Sequence, residues 1–253
     1  MNFLKQAFRP LLDTISGDIS EVGSRNLKSR EKWLAACLAE VPVGARILDA
    51  GAGKQQYKSL CRHLDYISQD FAEYDGKGNS VGMQTGVYDY GKLDIVSDIT
   101  SIPEPNASFD AIMCIEVLEH VPDALAAVRE LSRLLKAGGK LIVSSPFCSL
   151  THFAPYHFAT GLSRYWYEQH LPSLGMEIKN IQFNGNFFEF VAQELKRVSW
   201  VIGIHGGPKW TSLQKLATRI VLGALASSSR ESKGSEELLS FGIQVVAVKK
   251  TNS

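Results

Sequence analysis

The sequence predicts an α/β protein: a mostly parallel sheet with helices packed against it. Three observations carry this. Short apolar runs of strand length, such as FDAIMCI at 109–115 and LIV at 141–143, alternate with longer segments of helical periodicity. The runs are apolar at successive positions, as strands covered on both faces must be. Several of them close on a carboxylate or are followed at once by one: Asp49, Asp70, Asp98 and Glu116. Open parallel sheets bind ligands along the edge where their strands end, so acids gathered there read as a binding edge.

Composition sets the outer bounds. A chain of 253 residues with 45% hydrophobic content holds one sizeable α/β core plus accessory helices. A net charge of +1 gives no global basic field, so no nucleic-acid partner is expected. The four cysteines, Cys37, Cys61, Cys114 and Cys148, lie far apart without a C-x-x-C. They read as buried free thiols in a reducing compartment, not as a zinc or disulfide framework. The N-terminal MNFLKQAFRPLLDTISGD has no uninterrupted apolar stretch and no small-residue cleavage site, so no secretory signal is expected. No apolar run reaches the ~18 residues of a spanning helix. A cytoplasmic location is the expectation.

Residues 1–43 are expected to form an N-terminal helical segment ahead of a domain at 44–253. Phe3, Leu4, Phe8, Leu11, Leu12 and Ile15 recur at roughly helical spacing, fitting either a short amphipathic helix or a loosely docked leader. Ser24–Glu40 is the stronger helix, with Leu27, Trp33, Leu34, Cys37 and Leu38 on one face. Val41-Pro42-Val43-Gly44 ends it.

RILDAGAGKQQY at 46–57 then reads as strand, glycine turn and the start of a helix over Lys54–His63. Glycines let backbone approach a ligand, because no Cβ stands in the way. A helix start behind them would add unpaired N–H groups and a positive dipole end. A nicotinamide dinucleotide site wants G-x-G-x-x-G, but the third place is Gln56 and the acid precedes the first glycine. A phosphate loop wants Ser or Thr after the lysine, but Gln55 follows Lys54. D-x-G-x-G with a leading acid suits a ligand with a cationic, non-phosphate centre.

Tyr66–Asp70 is the second strand. Asp70 follows Asp49 at close to the ~20-residue offset of an acid that accepts from ribose hydroxyls. Phe71–Leu93 is a long polar excursion rich in Gly and Tyr; loops of that length are more often functional than idle. Asp94–Asp98 is the third strand and Phe109–Ile115 the fourth. VLEHVPD follows, with Pro122 in the first turn of a helix over Asp123–Lys136 whose core face is Leu125, Val128, Leu131, Leu134 and Leu135. Ala137-Gly138-Gly139 stops it and Leu141–Val143 is the fifth strand. Next come a helix at Leu162–Leu171 and a sixth strand at Met176–Phe183. Two helices, Asn186–Val201 and Thr211–Ala226, follow on either side of a glycine break, then a polar stretch at Ser227–Glu237 and a last strand at Phe241–Val248.

DAGAG at 49–53, VLEHVPD at 117–123 and LSRLLKAGGKLIVSSP at 131–146 together resemble the class I S-adenosylmethionine-dependent methyltransferases, in their small-molecule, type 11-like branch. The specific resemblance covers about residues 44–183. It implies a Rossmann-like seven-stranded, mostly parallel sheet with helices on both faces. The last strand is antiparallel, preceded by a helical insertion at about 186–237. It implies S-adenosyl-L-methionine as cofactor, held by Asp49, Gly51, Ala52, Gly53, Gln55, Asp70, Phe71, Asp98, Ile99 and Glu116. Gln55 stands where the family often has a third glycine. In the family the acid at Asp98 accepts from the adenine amino group, and Ile99 suits the apolar contact with the ring. The helix before the first strand often lies over the cofactor, so Arg25, Asn26 and Arg30 either face the methionine carboxylate or form a plain solvated face.

The acceptor side follows the fifth strand, in the aromatic segment THFAPYHFATG at 151–161. His157 and His152 either take a proton from an acceptor hydroxyl or hydrogen-bond the acceptor. His120 is the third catalytic candidate, although its counterpart in the family often has a structural part. Tyr156 and Phe158 also fit ordinary packing. No Asp or Glu lies close in sequence to complete a ligand set, so no metal is expected. The expected function is methyl transfer to a small-molecule acceptor, by O-methylation of a sugar, lipid-linked glycan or natural-product hydroxyl. The alternatives are a carbon or nitrogen acceptor, or a non-catalytic cofactor-binding partner protein. Trp200, Val201, Ile202, Ile204, Trp210, Ile220, Val221 and Leu222 in the insertion need a cover. A pocket cap or homodimer face is favoured over a membrane surface, because Lys196, Arg197, Lys209, Lys215 and Arg219 are scattered.

Overall fold

The computed structural model describes residues 19–251; the helix expected from Phe3 to Ile15 lies outside them. The chain divides into two units. The larger comprises Glu31–Gln182 and the stretch from Gly242 onward; the smaller comprises Phe183–Phe241 with the described residues up to Arg30.

The larger unit is organised on a seven-stranded sheet of order β3-β2-β1-β4-β5-β7-β6, flanked by helices. The strands are β1 (Arg46–Ala50), β2 (Asp65–Asp70), β3 (Ile95–Val96), β4 (Phe109–Ile115), β5 (Leu135–Pro146), β6 (Met176–Asn184) and β7 (Gly242–Lys249). β1 pairs in parallel with β2 and β4, β2 with β3, and β4 with β5. β7 runs antiparallel to β5, from Lys140 opposite Val248 to Pro146 opposite Gly242. The apolar runs become the core: Ile47, Leu48, Ala111, Ile112, Met113, Ile142, Val143 and Val245 are buried. α1 (Asn26–Ala39) contributes Leu34, Cys37 and Leu38 to it. α2 (Ala124–Leu134) is capped by Asp123, whose side chain accepts from Ala126 N, and buries Ala127, Val128, Leu131 and Leu134.

Several boundaries differ from the sequence reading. No α-helix forms over Lys54–His63; that stretch is a series of turns with a single 3₁₀ turn at Lys58–Cys61. Gln55 takes φ +55°, which interrupts helical backbone where the helix should begin. β3 keeps two residues, so Asp98 lies beyond its end. β5 starts directly from α2: Phe109 pairs Leu135, then the register slips so that Ala111 pairs Lys140. The glycine stop is therefore absorbed as an irregularity within a strand, with Gly138 at φ +78°. α3 covers Arg164–Ser173 and carries Pro172 near its end. Cys37, Cys61 and Cys114 are buried as expected, but Cys148 is exposed, because it lies past the end of β5.

In the smaller unit α4 (Phe187–His205) runs further than the predicted Val201, through the apolar Ile202 and Ile204 to Gly206 at φ +82°. α5 (Ser212–Glu231) opens on a capping box of Thr211 and Gln214 and extends through serines that had read as irregular. Val22, Ala192, Leu222 and Ala226 form its small core. Trp200, Ile204, Leu216, Ile220 and Val221 stay exposed. Among the described residues no helix is long and apolar enough to cross a membrane.

Candidate functional site

β1 and β2 end side by side and deliver two buried carboxylates, Asp49 and Asp70. Burial pushes Asp49 up to about 7 from its ordinary 3.8; the 2.6 Å bond from the Tyr66 hydroxyl opposes this and the nearby Asp70 adds to it. Asp70 is also raised by burial, against the N–H bonds it accepts from Ala72 and Gly53. Two neighbouring buried carboxylates favour a cation brought to them.

The glycine turn joins these two strand ends. Gly51 N and Ala52 N donate to Gln69 O at 2.9 and 2.8 Å, and Gly53 N donates to Asp70 Oδ2 at 2.8 Å. The expected row of unpaired N–H groups at a helix start is therefore not what this turn offers. With no helix behind it and its amides used to knit the turn to β2, recognition falls to the carboxylates. Gln55 Nε2 donates to the Tyr90 and Lys92 carbonyls, both at 2.9 Å, tying the turn to the 71–93 loop. Gly51 sits at φ +74°, and a Cβ there would lie 2.5 Å from Val117 Cγ2. The missing side chain is what lets the segment after β4 close against the turn.

That segment carries Glu116, at φ +57°, whose Oε1 accepts from the Ser144 hydroxyl at 2.8 Å. Its placement brings Glu116 to the end of β5. Ile99 is buried, while Asp98 is exposed and its Oδ1 accepts from the N–H and hydroxyl of Thr100. Phe71 stands edge-on to Tyr156 with ring centroids 5.0 Å apart. In the smaller unit Arg25 pairs with Glu21 at 2.9 Å, and Asn26 accepts from Asn184 at 2.8 Å.

The 71–93 loop and the 151–161 loop form one cover. Met83 N donates to Thr151 O and Phe153 N to Met83 O, at 2.9 and 3.1 Å. Tyr74, Tyr88, Tyr90 and Phe153 pack ring against ring, with Phe153 4.5 Å from Tyr74 and 5.6 Å from Tyr88. Tyr88 reaches the glycine turn: a Cβ on Gly53 would lie 2.5 Å from its hydroxyl. Burial, then the Asp70 carboxylate, pushes the Tyr88 phenol up to about 12. Sequence reasoning singled out neither Tyr88 nor Tyr90; the only signal was the tyrosine content of an overlong loop.

The three candidate histidines meet. His120 ends a 3₁₀ turn (Leu118–His120) after β4, and its ring centroid lies 4.6 Å from His152 and 6.1 Å from His157. His152 and His157 are 4.9 Å apart. His120 Nδ1 lies 2.5 Å from the Tyr156 carbonyl, and His152 Nδ1 2.8 Å from that of Leu150. Burial, then the neighbouring His152, lowers His120 to about 4 and lowers His157 as well. Glu119, unremarked in the sequence, is a buried carboxylate with Oε1 at 3.6 Å from His120 Nε2 and 3.9 Å from His152 Nε2. Its carbonyl accepts from Phe158 N and Ala159 N, which anchors the 151–161 loop over it.

Comparison with known proteins agrees with the fold. A family model described as a methyltransferase domain matches residues 48–143. The chain is 37% identical over 106 residues to a ubiquinone biosynthesis O-methyltransferase of Xanthomonas oryzae, a match covering 41% of this chain and 44% of that protein. The enzyme of the same name from Xylella fastidiosa is 38% identical over 109 residues, covering 42% and 44%. The match thus spans less than half the length of these relatives. Among solved structures, the [4+2]-cyclase SpnF covers 98% of this chain and 94% of its own, with a TM-score of 0.56 at 16% identity. A SAM-dependent methyltransferase from Archaeoglobus fulgidus covers 87% and 94%, with a TM-score of 0.51 at 17% identity.

Proposed function

We propose that this chain, whose residues 48–143 are a methyltransferase domain on the class I fold, uses S-adenosyl-L-methionine to methylate an oxygen of a small-molecule acceptor. The observation that carries the reading is the pair of buried carboxylates, Asp49 and Asp70, on either side of the glycine turn. A phosphate-bearing cofactor would be repelled there. A cofactor with a sulfonium and an ammonium group relieves the burial of the charge, and one with a ribose gives Asp70 hydroxyls to accept from. The bound cofactor would supply an activated methyl group.

The chain's own residues would bind and orient. Asp49 faces the cationic part of the cofactor and Asp70 its ribose. Gly51, Ala52, Gly53 and Gln55 shape the turn between them, with Phe71 beside it. Ile99 gives the adenine an apolar wall, Asp98 stands at its amino edge, and Glu116 closes the far side of the turn. The tyrosine-rich cover excludes water, and most of the rate gain comes from holding donor and acceptor at near-attack distance. His157, His152 and His120 stand on the acceptor side as acceptors or orienters of a hydroxyl proton, with His157 the foremost candidate. The name shared by the curated relatives supports an oxygen acceptor. The fold alone does not decide the activity, since one neighbour with it is named a [4+2]-cyclase.

The test is incubation with methyl-deuterated cofactor and a panel of phenols, catechols, sugars and lipid-linked glycans, read by mass spectrometry. A labelled methyl ether that depends on His157 supports the proposal. Label on carbon or nitrogen, or binding without any transfer across the panel, contradicts it.

A further inference from the structure

The three imidazoles come from two segments that meet only in the fold. One ring nitrogen from each of His120, His152 and His157 lies within 4.8 Å of the other two. For two of them the tautomer follows from the neighbours. The Nδ1 atoms of His120 and His152 face the backbone carbonyls of Tyr156 and Leu150. A carbonyl only accepts, so Nδ1 carries the hydrogen and, in the neutral ring, Nε2 is the nitrogen able to ligate. A carbonyl behind the far ring nitrogen is also how metal-binding histidines are commonly held. Both Nε2 atoms face the buried Glu119 Oε1, at 3.6 and 3.9 Å. A buried carboxylate beside two imidazoles favours positive charge at this spot. Both ring nitrogens of His157 are buried without a hydrogen-bond partner, a costly state for an imidazole that ligation would relieve.

We propose that His120, His152 and His157 bind a first-row transition dication of the zinc type, with the Glu119 carboxylate supplying negative charge beside two of them. The donor set selects the class: three imidazoles suit zinc, cobalt, nickel or iron, whereas magnesium and calcium want a shell of oxygens. Bonds of about 2.1 Å in a tetrahedron put ligand nitrogens about 3.4 Å apart, so the side chains draw inward by little more than 1 Å on loading. The ion would tie the 151–161 loop to the turn after β4. Ligation uses the lone pairs that proton transfer would use, so a loaded site orients the acceptor instead of taking its proton. That consequence rests on the methyl-transfer reading; the ion site does not.

The experiment is a titration of tag-free, chelator-stripped protein with Co(II), followed by its visible d–d absorption, then competition with Zn(II). The wild type is expected to take up one equivalent with intense visible bands, to lose them on adding Zn(II), and to keep them on adding Mg(II). His152→Ala and His157→Phe should each weaken uptake by about 100-fold or more, with circular dichroism reporting that the fold is intact. If one variant fails to fold, the other carries the comparison. His63→Ala, which bears on the Leu38 carbonyl and not on the cluster, should bind as the wild type does. No Co(II) uptake by the wild type, uptake that both cluster variants retain, or bands that Mg(II) removes would each overturn the proposal. Because binding is read directly, failure here is distinct from failure to transfer a methyl group.

Discussion

Asp49→Asn should make the ligand-free protein more stable while weakening its hold on the cofactor. Asp49 is buried, with its carboxyl raised to about 7 from 3.8. Below pH ~4 the group is protonated in both the folded and the unfolded chain. Between pH ~4 and ~7 the unfolded chain gives up its proton while the folded one retains it. The unfolded state then binds fewer protons, so stability falls as pH rises through that window and is level above it. At about 1.4 kcal/mol per tenfold, the loss amounts to about 4 kcal/mol. For a chain of this length that is on the order of 10 °C in melting temperature. Asn keeps an oxygen for the Tyr66 hydroxyl and cannot ionise. The variant should therefore melt about 10 °C above the wild type at pH 8 and together with it at pH 4. Binding of a cationic cofactor should be at least about tenfold weaker, and in the wild type it should release a proton below pH 7. Differential scanning fluorimetry across pH, with calorimetry in two buffers of different ionisation enthalpy, reads all of this. An Asn variant that melts below the wild type at pH 8, or that binds the cofactor equally well, would refute the reasoning.

Asp70→Ala removes the acceptor of the Gly53 and Ala72 N–H bonds as well as the proposed ribose contact. It should cost about 1–3 kcal/mol in chemical denaturation and nearly all cofactor affinity, and unchanged affinity would take Asp70 away from the ribose. His157→Ala should leave cofactor affinity within about twofold and lower turnover by about 10²-fold or more. Full activity in that variant would remove His157 from the acceptor side.

The centre of the sheet was legible because β4 and the second half of β5 are buried on both faces and so appear as nearly unbroken apolar runs, as at 109–115 and 141–143. Asp49 and Glu116 were legible for the same reason, since each directly follows an apolar run, whereas Asp70 follows the polar pair Ser68-Gln69 and Asp98 lies past the end of β3. The stretch after the glycine turn was misread as a helix because its backbone is set by a distant partner. Nothing local in KQQY announces that the Gln55 amide is bound by the Tyr90 and Lys92 carbonyls. The gathering of the three histidines was hidden likewise. Glu119-His120 reads as the approach to a helix, and the 151–161 loop reaches it only through the Glu119 carbonyl, which accepts from Phe158 and Ala159. In the smaller unit the helix expected to end at Val201 continues through Ile204 and His205, and it stops only at Gly206, whose φ of +82° breaks helical backbone.

The most direct test of the central claim is calorimetric titration of the purified chain with S-adenosylmethionine and, separately, with NADH. Paired buried carboxylates at a D-x-G-x-G turn predict micromolar binding of the first and none of the second. Binding of NADH, or of neither compound, would contradict the assignment of that turn to a cationic, non-phosphate cofactor.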